Sequence, residues 1–347
     1  MCIRDRIASF PKLLAVLGAL LVVISLWSVI DMLRNGPAFV TAFFQRQLAL
    51  LTTEDAGHGG FFGYHFVVLL IGCFPASLFA TQEMLKPTRT EEQANDHRRW
   101  MAILFWVVLI LFSLVKTKIV HYSSLCYFPL TYLAALQLER LWNDRAKAAM
   151  WMRIGIGVVG HLFVLAAIAL PWLGMHPEKL KPLLNDAFAQ ANLDAPVHWT
   201  GIEAFAGIWL LVLLAVSHFH FRSARYRKGI IALFGGSLLF VVHILYYDVR
   251  KIERYTQGAA VDFWQAHANE RCYVTTVDYK SYAPLFYART PPHTDQRASD
   301  QGWLLHGDID RPVYIACKIT DATEVRAMPG LVELDARNGF AFFRRDP

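Results

Sequence analysis

Apolar residues gather along this chain in seven long runs, at roughly 13–33, 61–81, 100–115, 123–138, 154–173, 201–219 and 229–247. Each is at or near the ~20 residues that a helix needs to cross the hydrocarbon core of a bilayer. The pattern predicts a polytopic α-helical membrane protein with about seven spans. The third and fourth runs are short, and the polar phrase Lys116-Thr-Lys-Ile-Val-His-Tyr122 stands between them.

Two connections carry helical periodicity of their own. After Asn35-Gly-Pro37, apolar positions Phe39, Val40, Phe43, Phe44, Leu48 and Leu51 predict a helix over 38–51 lying on the membrane surface. A second interfacial helix is expected in 175–199, with Leu180, Leu183, Leu184, Ala187 and Phe188 on one face. Pro75, Pro129 and Pro171 mark expected kinks or ends, since proline donates no backbone hydrogen bond. From 248 onward the pattern changes. A helix over 251–268, strands at 272–277 and 313–319, a short aromatic helix at 281–288, a polar loop at 289–301 and a hairpin about Asn338-Gly339 predict a small α/β domain. The expected organisation is therefore a membrane domain over 7–247, with extramembrane loops at 34–60 and 175–199, followed by an α/β domain over 248–347.

Composition agrees with a membrane protein: of 347 residues, 55% are hydrophobic and only 18% charged. The net charge of +6 is mild and follows the membrane boundaries, which argues against a nucleic-acid partner. Lysine and arginine crowd three alternate connections: Lys86, Arg89, Arg98 and Arg99; Arg140, Arg145, Lys147 and Arg153; Arg222, Arg225, Arg227 and Lys228. The positive-inside bias turns these toward the cytoplasm. The 34–60, 116–122 and 175–199 connections and the α/β tail then face the other side. Cys73 and Cys126 read as packing residues, while Cys272 and Cys317 are either a disulfide or two buried thiols.

Two cations and an imidazole at a membrane boundary are costly unless they meet water or an anion. Lys116, Lys118 and His121 either snorkel to the headgroups or hold a lipid phosphate, with the Tyr122 hydroxyl as a further donor. His58, between glycines at 57 and 59 and beside Glu54 and Asp55, is either a solvated turn residue or a ligand to a divalent metal ion. His65 lies just inside the second run, and His161 and His243 are expected to bond between helices. The opening Met1-Cys-Ile-Arg-Asp-Arg6 fits no signal peptide. It reads as translated sequencing adapter, so the natural chain is expected to extend further at this end.

Lys118-Ile-Val-His-Tyr122, with Pro129 and Leu133-Ala-Ala135 after it, resembles a phrase of the polyprenyl-phosphate-dependent membrane glycosyltransferases. These are the relatives of lipid A aminoarabinose transferase and the protein O-mannosyltransferases, a glycosyltransferase family 39-like group with the GT-C fold. Gly57-His-Gly-Gly-Phe-Phe-Gly-Tyr-His65, followed by Val67-Val-Leu-Leu70, Gly72 and Phe74-Pro75, looks like that group's loop and helix entry. The resemblance implies the C-terminal half of a longer enzyme in a bacterial cytoplasmic membrane. Its catalytic carboxylate is expected upstream of this sequence, so no catalytic residue is assigned here and the chain alone is expected to be inactive. The implied reaction moves a sugar from a polyprenyl-phosphate donor to a lipid, protein or glycan acceptor on the outer face. It gives Lys116, Lys118, His121 and Tyr122 to the donor phosphate, Tyr64 and His65 to the cavity wall, and His58 to a metal or to loop positioning. Two other functions fit the residues: a non-catalytic membrane anchor displaying the α/β domain, and a lipid or sugar transporter. A transporter should show paired repeats and charges near midplane, which this sequence lacks.

Overall fold

A computed structural model describes residues 10–53, 59–87, 92–290 and 295–347. The adapter-like first six residues, and Glu54, Asp55 and His58, lie outside the described residues. The chain divides into two compact units, Met1–Met152 and Arg153–Pro347.

The first unit opens with α1 (Phe10–Asn35), apolar on every side. Gly36 takes a left-handed φ of 80° and Pro37 follows, so the chain turns before α2 (Ala38–Thr52). The expected second span forms as two short helices, α3 (Tyr64–Gly72) and α4 (Ala76–Leu85), bent by 116° at the break expected near Pro75. Pro75 cannot donate to Ile71 and so stops α3. Ser77 recovers part of the loss by donating its hydroxyl to the Leu70 carbonyl at 2.7 Å. After α5 (Glu92–Leu114), the expected fourth span is a 3₁₀ turn at Val120–Cys126 and then the 16-residue α6 (Tyr127–Trp142). Pro129 explains the late start, because its ring and missing N–H prevent an α-helix from running back through Leu125. Leu78, Phe79 and Ala80 of α4 and Leu130, Leu133 and Ala134 of α6 supply much of this unit's core. Gln82 holds the connection beyond α6, donating to the Lys147 carbonyl and accepting from the Ala149 N–H, each at 3.2 Å.

The second unit begins within α7 (Met150–Met175), which continues through Pro171 to its end. The interfacial helix expected at 175–199 is broken into α8 (Pro177–Leu180) and α9 (Ala187–Asn192), because Pro182 interrupts what would be its interior. Close packing follows for α10 (Phe205–Arg222) and α11 (Tyr226–His243). A Cβ at Gly207 would fall 2.7 Å from Ile168 of α7, and one at Gly236 would fall 2.7 Å from Leu213 of α10. Small residues at such positions let apolar helices approach without a solvent-driven force. A π turn at Ile244–Asp248 joins α11 to α12 (Val249–Thr256), and α13 (Gly258–Ala266) follows after a break at Gln257.

Among the described residues five helices are long and apolar enough to cross a membrane: Leu14–Asn35, Asn95–Leu114, Met150–Met175, Ile202–Arg222 and Tyr226–Thr256. The α3–α4 pair makes a sixth if it is one broken span.

The chain then builds a four-stranded sheet in the order β1-β2-β4-β3, from β1 (Tyr273–Val277), β2 (Val313–Lys318), β3 (Leu331–Arg337) and β4 (Phe340–Arg345). β1 and β2 are parallel; the other pairs are antiparallel. The crossover between the parallel strands holds α14 (Ala283–Tyr287) and α15 (Gln301–His306), and α16 (Ala322–Arg326) follows β2. The sheet is covered on both faces. Tyr273, Val313, Ile315, Ala341 and Phe343 meet α15 and α16 on one, while Val274, Tyr314, Ala316, Phe340 and Phe342 meet α13 on the other. Burial on both faces is why β2 reads as a nearly continuous apolar run. Asn338 and Gly339, at φ of 47° and 83°, form the expected two-residue hairpin turn. Cys272 and Cys317 are free buried thiols, and burial pushes their pKa up to about 11 and about 12.

Candidate functional site

The loop after α5 gathers the residues that the sequence singled out. A helix ends with carbonyls that have no partner of their own and carry the negative end of its dipole. Lys118 meets that end. Its ammonium donates to the carbonyls of Phe112 at 3.2 Å, Ser113 at 2.7 Å and Val115 at 2.5 Å, using all three of its hydrogens. The side chain is 4% exposed, and burial pushes its pKa below the ordinary lysine value.

Thr117 anchors the same loop. Its hydroxyl donates to the Thr53 carbonyl at 2.9 Å, and Gly59 pairs with it in an isolated antiparallel bridge. The N–H groups of Lys116 and Thr117 donate to the carbonyls of Leu51 and Leu50 at the end of α2. Gly60 lies directly on the Lys118 stem, where a Cβ would fall 2.8 Å from Lys118 Cγ and 3.6 Å from the Tyr64 ring. The glycine there permits close approach, and this is how α3 and the loop come together.

Aromatic rings continue the assembly. Tyr64 meets His65 edge-on at 5.1 Å between centroids, His65 meets Phe112 at 6.4 Å, Phe112 meets Tyr122 at 5.3 Å, and Tyr122 meets His121 at 5.4 Å. The structure therefore brings Tyr64, His65, Lys118, His121 and Tyr122 into one contiguous cluster. Exposure divides these residues and Lys116 of the same loop. Lys116 and His121 are exposed, Tyr64 and Tyr122 are half-buried, and Lys118 and His65 are buried.

That division revises two expectations. The Lys118 ammonium faces backbone carbonyls rather than open space, because the end of α5 offers acceptors within reach of its stem. His65 is enclosed by its neighbours, and its two ring nitrogens have no hydrogen-bond partner among the described residues. Thr117, Gly60 and Phe112 are the members that sequence reading missed. Only the glycine-rich stretch at 57–60 hinted at a close approach. Among the described residues no group of three histidine, cysteine, aspartate or glutamate side chains is placed to hold a metal ion.

A second polar cluster lies within the other unit. Glu203, 1% exposed, accepts from the Gly201 N–H at 2.8 Å, from the N–H and hydroxyl of Thr200, and from the Lys251 ammonium. Trp199 donates its ring N–H to the Tyr255 hydroxyl at 2.9 Å beneath Lys251. Asp248 is fully buried in the π turn, and neither carboxylate oxygen has a hydrogen-bond partner among the described residues. His243 bonds across to the Ile202 carbonyl at 3.2 Å, as expected of an interhelical histidine; His161 instead bonds within its own helix, to Gly157.

No protein-family model matches the chain. Among curated proteins it is 33% identical over 91 residues to the undecaprenyl phosphate-alpha-4-amino-4-deoxy-L-arabinose arabinosyl transferase of Wigglesworthia glossinidia brevipalpis, covering 25% of this chain and 15% of that protein. The namesake enzyme of Edwardsiella ictaluri is 29% identical over 238 residues, covering 65% of this chain and 40% of its own length. The chain resembles the aminoarabinose transferases. Its backbone also matches the crystal structure of ArnT from Cupriavidus metallidurans bound to undecaprenyl phosphate, with a TM-score of 0.58 at 18% identity. That match covers 94% of this chain and 59% of the ArnT chain; the apo form gives 0.56. At this identity the likeness shows a shared membrane fold. The chain spans less than half the length of the curated relatives it matches.

Proposed function

We propose that this chain is part of a bacterial membrane glycosyltransferase that takes a sugar, of the aminoarabinose kind named for its relatives, from a polyprenyl-phosphate donor. The observation that carries the reading is the cluster after α5, where exposed His121 stands against half-buried Tyr122, the ring contacts continue through Phe112 and His65 to Tyr64 of α3, and exposed Lys116 lies on the same loop, fixed from below. In glycosyl transfer the bond between the sugar carbon and a phosphate oxygen breaks, and the lipid phosphate departs with added negative charge. Lys116 meets that charge, and a ring N–H of His121 and the tyrosine hydroxyls donate to the same oxygens. Lys118 acts one step back as a positioning residue: by tying the end of α5 to Gly60 it sets where its neighbours stand. The acceptor is a lipid, protein or glycan at the outer face of the cytoplasmic membrane, the side to which the lysine and arginine bias assigns this loop.

Binding of undecaprenyl phosphate to the purified full chain in detergent tests the reading. Losing one or two charge-assisted hydrogen bonds should weaken binding by about 10-fold or more in a Lys116→Ala, His121→Ala double variant. Binding of undecaprenol as tight as that of the phosphate would sink the proposal, as would unchanged affinity in the variant.

A further inference from the structure

The α14 segment, Lys280-Ser-Tyr-Ala-Pro-Leu-Phe-Tyr-Ala-Arg289, shows an unusual combination of a pinned backbone and exposed apolar side chains. Pro284 and Ala288 are buried, the Ala288 carbonyl accepts from the Asn269 N–H at 2.9 Å, and the Ser281 hydroxyl caps the Ala283 N–H at 3.1 Å. Yet Tyr282 is 86% exposed, Phe286 71% and Leu285 62%. Large apolar side chains held out from a fixed backbone mark an interaction surface rather than a frayed loop. Exposed Lys280 and Arg289 bracket them.

The position of α14 identifies the partner. Tyr226–Thr256 runs as one 31-residue helix, with Arg225, Arg227 and Lys228 at its opening end, an apolar stretch after them and the polar α12 at its close. About 20 residues at 1.5 Å each span the hydrocarbon core, so counting from Gly229 brings Arg250 to the opposite headgroup level. Tyr287 of α14 lines the same cavity as Arg250, Glu253 and Arg254 of α12. The exposed trio therefore stands beside the helix where it leaves the bilayer. Aromatic and aliphatic residues bracketed by lysine and arginine are the composition that settles at an anionic lipid surface.

We propose that Tyr282, Leu285 and Phe286 form an interfacial foot that enters the leaflet from which α12 emerges, with Lys280 and Arg289 against its anionic headgroups. The foot ties the sheet to the membrane surface whatever reaction the protein performs.

A spin label at Phe286→Cys tests this in the full chain, in nanodiscs of phosphatidylethanolamine with phosphatidylglycerol. Cys126, Cys272 and Cys317 are buried, and Cys2→Ser and Cys73→Ser remove the competing thiols. A label at Leu334→Cys, on exposed β3, serves as the aqueous control. The proposal expects the 286 label to be several-fold more accessible to oxygen than to a water-soluble nickel chelate, with the reverse at 334. Nickel accessibility at 286 equal to that at 334 overturns it. So does a 286 label shielded from both reagents, which would place a protein surface, such as a second copy of this chain, on the patch. In discs of phosphatidylcholine alone the 286 label should sit shallower; equal depth overturns the headgroup role of Lys280 and Arg289.

Discussion

Lys118 and Glu203 are both buried charges at helix ends, and each sits where the helix dipole favours it: the cation after the last turn of α5, the carboxylate just before α10. They differ in where their partners come from. Lys118 is satisfied by carbonyls three to six residues away. Glu203 combines two local N–H groups with a lysine 48 residues further on. The first arrangement shapes a turn, and the second latches two helices together. A buried charge is costly alone and tolerable with donors or acceptors around it, so the same rule yields a local device in one unit and a tertiary one in the other.

The comparison predicts a ranking. Lys251→Met strands a carboxylate and should cost the most, about 3–5 kcal/mol. SDS-induced unfolding in mixed micelles would measure it; a loss below about 1 kcal/mol would mean that the local N–H groups suffice for Glu203. Lys118→Met removes a charged donor but leaves carbonyls that can reach water after a small movement, so about 2 kcal/mol is expected. Its clearer signature is faster amide exchange confined to 112–118, and exchange spread across the unit would contradict a local role. Gly60→Ala drives a methyl into a lysine stem that is tethered at its far end, and should cost about 1–2 kcal/mol. Combining it with Lys118→Met should recover part of that loss, since the stem is then free to yield; strict additivity would rule out the clash. Asp248→Asn is the inverse case. With no donor to lose, the variant should unfold within about 1 kcal/mol of the parent, and any shift should be stabilising. A large destabilisation would reveal a partner for Asp248 that the arrangement of this turn does not suggest.

Much of the fold was legible because it rests on periodicity. Runs of apolar residues marked the long helices, the break at Asn35-Gly-Pro37 separated α1 from α2, and Asn338-Gly339 marked the hairpin. Pro75 and Pro129, expected to kink or end helices, do break the second and fourth runs, whereas α7 continues through Pro171. Pro182 carried no such expectation and divides the stretch read as one interfacial helix, because hydropathy sums side chains and ignores a missing backbone donor. The short α15 and α16 were also missed, since five or six residues carry too little periodic signal against a polar background. At the site, the phrase from Lys116 to Tyr122 stood out for its cost at a membrane boundary. Which lysine faces outward did not, because that depends on where α5 leaves its last carbonyls.

The π turn at Ile244–Asp248 has a consequence for how this protein tolerates change. A π turn holds one residue more than the helical repeat needs, and each residue of an α-helix advances the azimuth by about 100°. Removing a single residue there would restore a smooth helix that reads as better formed by every local measure. It would also rotate all that follows by that angle, swinging Lys251 off Glu203 while leaving pairs such as Arg254 with Asp262, which both lie beyond the turn, to move together. This short segment therefore works as a phase adjuster between the membrane and the sheet, and length variation should be tolerated in the neighbouring loops far better than within these five positions.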